Sequence, residues 1–111
     1  MPEELTIARL MQLMPTAFLP EKAAGEAAEV QFHLKGDGGG DWILRIRDGG
    51  CAVRPGVIEA ARLTLTAEAA DYLAIVTGKL DAMSAFAQGK IKLKGDLALA
   101  MKLMGFFKIP A

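Results

Sequence analysis

The chain has 111 residues, 52% of them hydrophobic and 6% aromatic, and its 13 basic side chains balance 13 acidic ones. This length fits one domain, residues 1–111, with a single core, and the balanced charge argues against nucleic acid as a partner. No apolar run approaches the roughly 18–20 residues of a membrane-spanning helix, and the acidic start Met1-Pro2-Glu3-Glu4 is unlike a signal peptide. The single cysteine, Cys51, excludes an internal disulfide and fits a reducing compartment.

Two helical segments are predicted at the start of the chain. Pro2-Glu3-Glu4 is typical of a helix start, and apolar residues at helical spacing continue to Met14, after which Pro15 is expected to end the helix. A second, weaker helical segment is predicted from Thr16 to Ala28.

The middle of the chain alternates apolar and polar residues, which is typical of half-buried strands. Four strands are predicted: Val30–Lys35, Trp42–Arg47, Cys51–Val53 and Leu63–Leu65. Glycine-rich turns at residues 36–40 and 48–50 separate the first three, since glycine reaches positive φ at little cost. Thr66 is then expected to cap a helix that ends before Gly78, and Asp81 to cap a short helix from Ala82 to Gln88.

The stretch from Gly89 to Leu103 carries the strongest pattern. Ile91 and Leu93 alternate with lysines and predict a fifth strand, and Asp96 is placed to cap a final helix. That helix has one charged residue, Lys102, so it must be buried or must cover an apolar surface. The mean hydropathy of the chain is +0.28, so its surplus of apolar residues is expected to contact a membrane, a partner protein or the inside of a cavity. A hydrophobic ligand is the natural second surface for the final helix to cover.

The order of elements predicts an α+β fold, with a five-stranded, largely antiparallel sheet and helices packed on one face. The alternation directs basic side chains to the opposite face of this sheet, namely His33, Lys35, Arg45, Arg47, Lys90, Lys92 and Lys94. This basic face is either simply solvated or a weak contact for an anionic membrane, to which each basic residue contributes about 1 kcal/mol.

The block from Phe86 to Leu103, FAQGKIKLKGDLALAMKL, resembles the C-terminal signature of the sterol carrier protein type 2 family. The predicted strands at residues 30–34, 42–46 and 63–66 are similar to that family in the same order. The resemblance implies a sheet covered by helices that enclose an apolar tunnel for a sterol, a fatty acyl chain, an acyl-CoA or an isoprenoid. It also implies that Gly89, Gly95 and Asp96 have geometric roles.

Peroxisomal members of that family end in a short targeting tripeptide, whereas this sequence ends Ile109-Pro110-Ala111. The expectation is therefore a stand-alone bacterial type of member in the cytoplasm.

Candidate ligand-binding residues follow from position in the predicted elements, and ordinary core packing is the alternative for each of them. They are Met11, Met14, Phe18, Phe32, Trp42, Leu44, Leu65, Leu73, Val76, Phe86, Ile91, Leu93, Leu97, Met101, Met104, Phe106 and Phe107. The methionines suit a wall that adapts to varied ligands. The final helix and Phe106-Phe107 are the candidates for a movable lid.

Chemical motifs give little support to catalysis. The glycine-rich loop at residues 36–40 opens no helix and lacks a following Gly-Lys-Ser/Thr, so it does not fit a phosphate-binding loop. His33 has no second histidine with which to bind a metal, and Cys51 has no histidine nearby in sequence to activate it as a nucleophile. No catalytic residue, metal site or cofactor is predicted. The first hypothesis is a carrier of one hydrophobic molecule, the second an interaction module that docks a partner enzyme or self-associates through the same apolar surface, and the third a small enzyme.

Overall fold

The computed structural model describes residues 6–23 and 25–107, apart from the side chain of Met104. Its helices are α1 (Ile7–Ala17), α2 (Ala69–Val76), α3 (Ala82–Ala87) and α4 (Leu97–Leu103), followed by a 3₁₀ turn (Met104–Phe106). Its strands are β1 (Ala28–Lys35), β2 (Gly40–Arg47), β3 (Gly50–Pro55), β4 (Leu63–Glu68) and β5 (Ile91–Gly95).

The five strands form one sheet in the order β3-β2-β1-β4-β5. Neighbouring strands are antiparallel except β1 and β4, which run parallel. The predicted α+β fold with a largely antiparallel sheet is confirmed. The parallel pair arises because the chain leaves β3 at one edge and must cross β2 and β1 before it enters the sheet again as β4.

Residues 56–62, the crossing segment, make this passage over the face of the sheet that carries no helix. Gln31 anchors it: the side-chain amide donates to the carbonyls of Trp42 and Gly56 at 3.1 and 3.0 Å, and its oxygen accepts from the Ile58 amide at 2.7 Å. Gln31 is 1% exposed, and these bonds satisfy a polar group that would otherwise be costly to bury. The segment also covers Ile43, so the centre of this outer face is dry rather than solvated.

The inner face carries the main core. This face is shared by Phe32, Leu44, Ile46, Leu65, Ile91 and Leu93, as the alternation of apolar and polar residues in the strands indicates. Helix α1 lies over the β3 side and buries Ile7, Leu10, Met11 and Met14. Helices α2, α3 and α4 cover the β4–β5 side. The helical layer is thus divided between the two halves of the sheet.

The N-terminal helix differs from its prediction. The expected start at Pro2-Glu3-Glu4 lies outside the described residues, and within them Thr6 caps α1 by accepting from the Arg9 amide at 3.1 Å. Pro15 does not end the helix, which continues to Ala17. Because proline has no amide hydrogen, it cannot donate the helical bond to the carbonyl of Met11, and α1 ends two residues later.

The second helix predicted from Thr16 to Ala28 is wrong. Thr16 and Ala17 complete α1, Phe18 forms an isolated bridge with Phe107, and a turn follows. Pro20 disfavours a helical backbone at the residue before it, and this local effect overrides the apolar spacing.

Later boundaries follow the predicted caps with one exception. Asp81 accepts from the Ser84 amide at 2.9 Å and Asp96 from the Leu99 amide at 3.0 Å, so both predicted N-caps are confirmed. Thr66 does not cap α2, because β4 continues to Glu68 while pairing with both β1 and β5. Pairing on two sides stabilises an extended backbone beyond the point that the sequence pattern indicated.

Charges on the outer face are partly paired with each other. Arg45 lies 2.7 Å from Glu29, and the Nδ1 atom of His33 lies 2.7 Å from the Asp41 carboxylate. The strand register places Lys92 and Lys94 on the same face, whereas Lys90 precedes β5. The basic face is therefore less positive than the list of its cations suggests. In the described residues, no helix combines the length and apolarity needed to cross a bilayer.

Candidate functional site

An apolar cavity of about 590 Å³ lies between the β4–β5 half of the sheet and the helices that cover it. Its floor consists of Leu63 and Leu65 from β4 and Ile91 and Leu93 from β5. Its walls and far end are formed by Met14, Tyr72, Ile75, Val76, Ala82, Met83, Phe86, Leu97, Ala100, Met101, Leu103 and Phe107. A volume of this size is in the range that binds small molecules, and none of the described residues lining it is charged.

The mouth of the cavity lies between α3 and α4, where its lining side chains reach solvent. Met83 and Phe86 on α3 are 64% and 45% exposed, and Leu97 and Met101 on α4 are 51% and 73% exposed. They are four of the five large apolar side chains that are exposed in the described part of the chain. Apolar groups concentrated at one opening indicate a surface that meets an apolar partner.

Helix α4 forms one wall and is attached at its N-terminus to the crossing segment. Asp96 caps the helix and also accepts a hydrogen bond from Arg62 Nε at 2.8 Å. The backbone supports the same junction, because the Asp96 amide donates to the Arg62 carbonyl at 2.9 Å. The Leu99 and Arg62 donors lower the pKa of Asp96 below its ordinary value.

Glu26 ties the same helix to the chain before β1. Its carboxylate lies 3.1 Å from Lys102 Nζ, on the last turn of α4, and 2.7 Å from Arg62. These two cations lower the pKa of Glu26. Glu26, Arg62, Asp96 and Lys102 form one ion-pair network, here called the α4 clasp, that holds this cavity wall to the crossing segment and to the chain before β1.

Many of the predicted ligand-binding residues are brought together on the cavity. They are Met14, Leu65, Val76, Phe86, Ile91, Leu93, Leu97, Met101 and Phe107. Most come from the last third of the chain, where the strongest sequence pattern lies.

The remaining predicted residues lie elsewhere among the described residues, and Met104 has no described side chain. Met11, Phe32, Trp42 and Leu44 belong to the hydrophobic core without lining the cavity, and Phe32 packs against the ring of Tyr72 on α2. Leu73 is half-buried on α2 and also does not reach the cavity. Phe18 packs on Phe107 with ring centroids 5.6 Å apart, and Phe106 is buried at the same junction, where its carbonyl accepts from the Leu19 amide at 2.7 Å. Sequence periodicity gave an inner face but could not divide it between two groups of helices.

Several lining residues were not among the candidates: Leu63, Tyr72, Ile75, Ala82, Met83, Ala100 and Leu103. Leu63 shares the alternation of Leu65, and Ile75 lies in the same apolar helix as Val76, so these two could have been found from the pattern. Nothing in the pattern set the two alanines or Tyr72 apart.

Two titratable groups, the partly buried Cys51 and the buried Tyr72, stay protonated at neutral pH. Burial raises the pKa of the Cys51 thiol to about 11, which leaves it a poor nucleophile. Burial also raises the pKa of Tyr72, so its hydroxyl is a hydrogen-bond donor. The described residues contain no cluster of three histidine, cysteine or acidic side chains that could hold a metal.

The fold and the cavity together define a class of small α+β proteins whose helices enclose an apolar space over one half of the sheet. The chain belongs to the SCP-2 sterol transfer family, whose sequence profile matches residues 8–108. The predicted resemblance is confirmed, and membership supports a role in lipid binding or transfer.

Individual relatives agree with this assignment. Human sterol carrier protein 2 is 41% identical over 75 residues, which are 65% of this chain and 14% of that protein. The solution structure of palmitated SCP2L2 from Aedes aegypti is 28% identical with a TM-score of 0.75, over 91% of this chain and 93% of that one. The sec-alkylsulfatase Pisa1 from Pseudomonas sp. is 26% identical with a TM-score of 0.82, over 94% of this chain and 16% of the enzyme. The chain thus spans a small fraction of the human protein and of the sulfatase.

Proposed function

We propose that this protein is a carrier that holds one hydrophobic molecule in the cavity between β4–β5 and helices α2 to α4. The observation that carries the proposal is the cavity itself, about 590 Å³ with an uncharged, almost wholly apolar lining. Such a lining can bury the apolar surface of a fatty acyl chain, an acyl-CoA, an isoprenoid or a sterol, and this removes that surface from water. The palmitated state of the Aedes aegypti relative supports an acyl chain as one occupant.

The exposure of the lining gives the orientation of a charged lipid. The deep residues Leu63 and Ile75 are 0% and 5% exposed, whereas Leu97 and Met101 at the mouth are largely exposed. A carboxylate or phosphate left inside would lose its hydration without a cationic partner, at a cost of several kcal/mol. The acyl tail therefore enters first, and a charged head group stays at the mouth.

The movable part of the wall is α4 in this proposal. Phe106 and Phe107 are 4% and 8% exposed and are joined to Phe18 and Leu19, so they form a fixed end. Helix α4 has only seven residues and is attached through the α4 clasp, whose groups are partly exposed to water. Leu97 and Met101 on this helix are already exposed, so an outward movement of α4 at the mouth would expose little additional surface of these two side chains.

The proposal is tested with cis-parinaric acid, a fluorescent fatty acid, and charged substitutions at the mouth. Leu97→Glu and Met101→Glu place a carboxylate where the ligand would cross, and each also removes apolar contact. We expect each to weaken binding at least about tenfold, since loss of one such contact is worth about 1.5–3 kcal/mol. Both side chains are exposed, so the variants should keep the circular dichroism spectrum of the parent.

Val57→Glu is the matched control for that experiment. Val57 is 62% exposed on the crossing segment, on the opposite face of the sheet from the cavity. Val57→Glu introduces the same charge without altering the mouth of the cavity, so binding of cis-parinaric acid should be unchanged. Equal affinity of all three variants and the parent would contradict a ligand in this cavity.

A docking role for the same apolar mouth is the second candidate function. The exposure of Met83, Phe86, Leu97 and Met101 would equally suit a partner enzyme or a second copy of the chain. If a second copy docks there, the protein elutes as a dimer and Met101→Glu restores a monomer, and under either form of docking cis-parinaric acid does not bind. Sedimentation of the parent and the variant distinguishes the two roles.

The setting of the carrier is part of the proposal. The free Cys51 thiol suits the reducing cytoplasm, and the role proposed for this chain is to hold or present a lipid rather than to transform it. Weak contact of the outer basic face with anionic membranes stays a prediction.

A further inference from the structure

Tyr72 is the single tyrosine of the chain and is the one polar side chain among the described residues lining the cavity. It is 7% exposed, and its ring packs against the fully buried Phe32 with centroids 5.5 Å apart at a 58° tilt. This contact fixes the ring between β1 and α2. The hydroxyl at its tip is therefore held in one place.

Within the described part of the chain, the Tyr72 hydroxyl forms no hydrogen bond. In this it differs from other buried polar groups such as Gln31, whose side chain is fully bonded. Every fully enclosed side-chain nitrogen or oxygen among the described residues has a partner. An oxygen without one is consequently still accessible. Tyrosine is placed in an apolar interior at a cost unless its hydroxyl finds an acceptor.

We propose that the Tyr72 hydroxyl opens onto the cavity and donates a hydrogen bond to an uncharged oxygen of the bound molecule. This inference rests on the proposed carrier function and narrows its ligand class. The ligand is a long apolar molecule that carries a ketone, quinone, ester or alcohol oxygen inside the cavity, rather than a pure hydrocarbon. The raised pKa of the phenol keeps the donor proton in place throughout the physiological range.

An ionised oxygen does not fit this position. The described residues around the cavity include no lysine, arginine or histidine that could offset a buried negative charge. A single phenol does not replace the hydration of a carboxylate. The hydroxyl therefore selects neutral oxygen, and fatty acids bind with the carboxylate at the mouth and make no use of Tyr72.

The test compares the parent protein with Tyr72→Phe, which deletes the hydroxyl and keeps the ring and its contact with Phe32. Two probes of equal length, 2-heptadecanone and heptadecane, are measured by displacement of cis-parinaric acid. We expect Y72F to weaken binding of the ketone about three- to tenfold, as the loss of one hydrogen bond implies, and to leave binding of heptadecane and cis-parinaric acid unchanged.

Infrared spectroscopy of the bound ketone gives a readout that a purely structural role of Tyr72 would not move. A hydrogen bond lowers the carbonyl stretching frequency, so the band should lie lower in the parent than in Y72F. Ile75→Val is the matched control, because it trims an apolar lining residue and should weaken both probes equally without shifting the band.

The outcomes separate this inference from the proposed function. If the parent binds cis-parinaric acid but Y72F leaves both the ketone affinity and its carbonyl band unchanged, the carrier function stands and the role of Tyr72 is overturned. If Y72F weakens ketone and hydrocarbon equally, the hydroxyl acts only on packing, and the inference is again overturned. If the parent binds no probe, the proposed function itself fails, and this inference fails with it.

Discussion

Two glycines, one shortly before β5 and one at its last position, both have a positive φ but different surroundings. Gly89 has a φ of +77° with open space where a Cβ would stand, whereas Gly95 has a φ of +111° and a Cβ there would lie 2.4 Å from the Arg62 carbonyl oxygen. Gly95 is thus required both for its backbone conformation and for the close approach of the crossing segment to the start of α4.

This difference predicts unequal effects of the same substitution. Gly89→Ala should lower the free energy of unfolding by about 1–2 kcal/mol, the cost of a left-handed alanine. Gly95→Ala should lower it by more, because the junction between Arg62 and Asp96 must also move. Urea unfolding of both variants measures the difference, and equal midpoints would show that the close approach at Gly95 has no energetic consequence.

At the scale of elements, the α4 clasp predicts a pH dependence. The pKa values of Glu26 and Asp96 are lowered from ordinary values of 4.5 and 3.8, so both carboxylates bind protons less readily in the folded than in the unfolded chain. The stability they contribute is therefore present above those ordinary values and is lost as the pH falls through the lowered ones. Exposure to solvent screens the pairs, so the effect is modest.

Glu26→Gln isolates this contribution. At pH 7 the variant should unfold at a lower urea concentration than the parent, and the two midpoints should converge as the pH falls through the lowered pKa of Glu26, where the parent carboxylate also becomes neutral. Glu21→Gln is the matched control, because Glu21 is exposed and makes no ion pair among the described residues. A constant gap between E26Q and the parent at every pH would contradict a role for the Glu26 charge.

Some features of the helices and strands could be predicted from the sequence and others could not. Strands and caps with local chemical signals were predicted correctly, as with Asp81, Asp96 and the alternation around β5. The parallel pairing of β1 with β4 and the path of the crossing segment depend on contacts between residues far apart in sequence, such as Gln31 with Ile58. No local pattern encodes such contacts.

The candidate site was predictable to a similar extent. Alternation identified the inner face of the sheet, but Phe32 and Leu65 share that face while only Leu65 reaches the cavity. The distinction arises because the ring of Tyr72 from α2 packs against Phe32, whereas Leu65 faces the space that α2, α3 and α4 leave open. Which half stays open is a property of helix packing, and it becomes visible only in three dimensions.

At the scale of the whole molecule, the cavity sets a limit on the stability of the empty protein. A sealed void of about 590 Å³ would cost about 14 kcal/mol at roughly 24 cal/mol per Å³, which matches the entire stability of a small domain, about 5–15 kcal/mol. The exposed side chains at the mouth avoid this cost by admitting water, but the apolar lining is then hydrated. The unliganded fold is therefore expected to be much less stable than the liganded one.

This expectation is tested by removing bound lipid with solvent extraction and then reloading the protein with palmitate. A free ligand concentration of 100 times Kd stabilises a fold by about 2.7 kcal/mol, which corresponds to a rise of roughly 10 °C in Tm for a domain of this size. Met101→Glu leaves the core intact, and at the same palmitate concentration its tenfold weaker binding should reduce this rise to about half or less. A protein whose Tm is high after extraction and does not change with palmitate would have a closed, well-packed interior in solution, and the cavity would then have no part in its function.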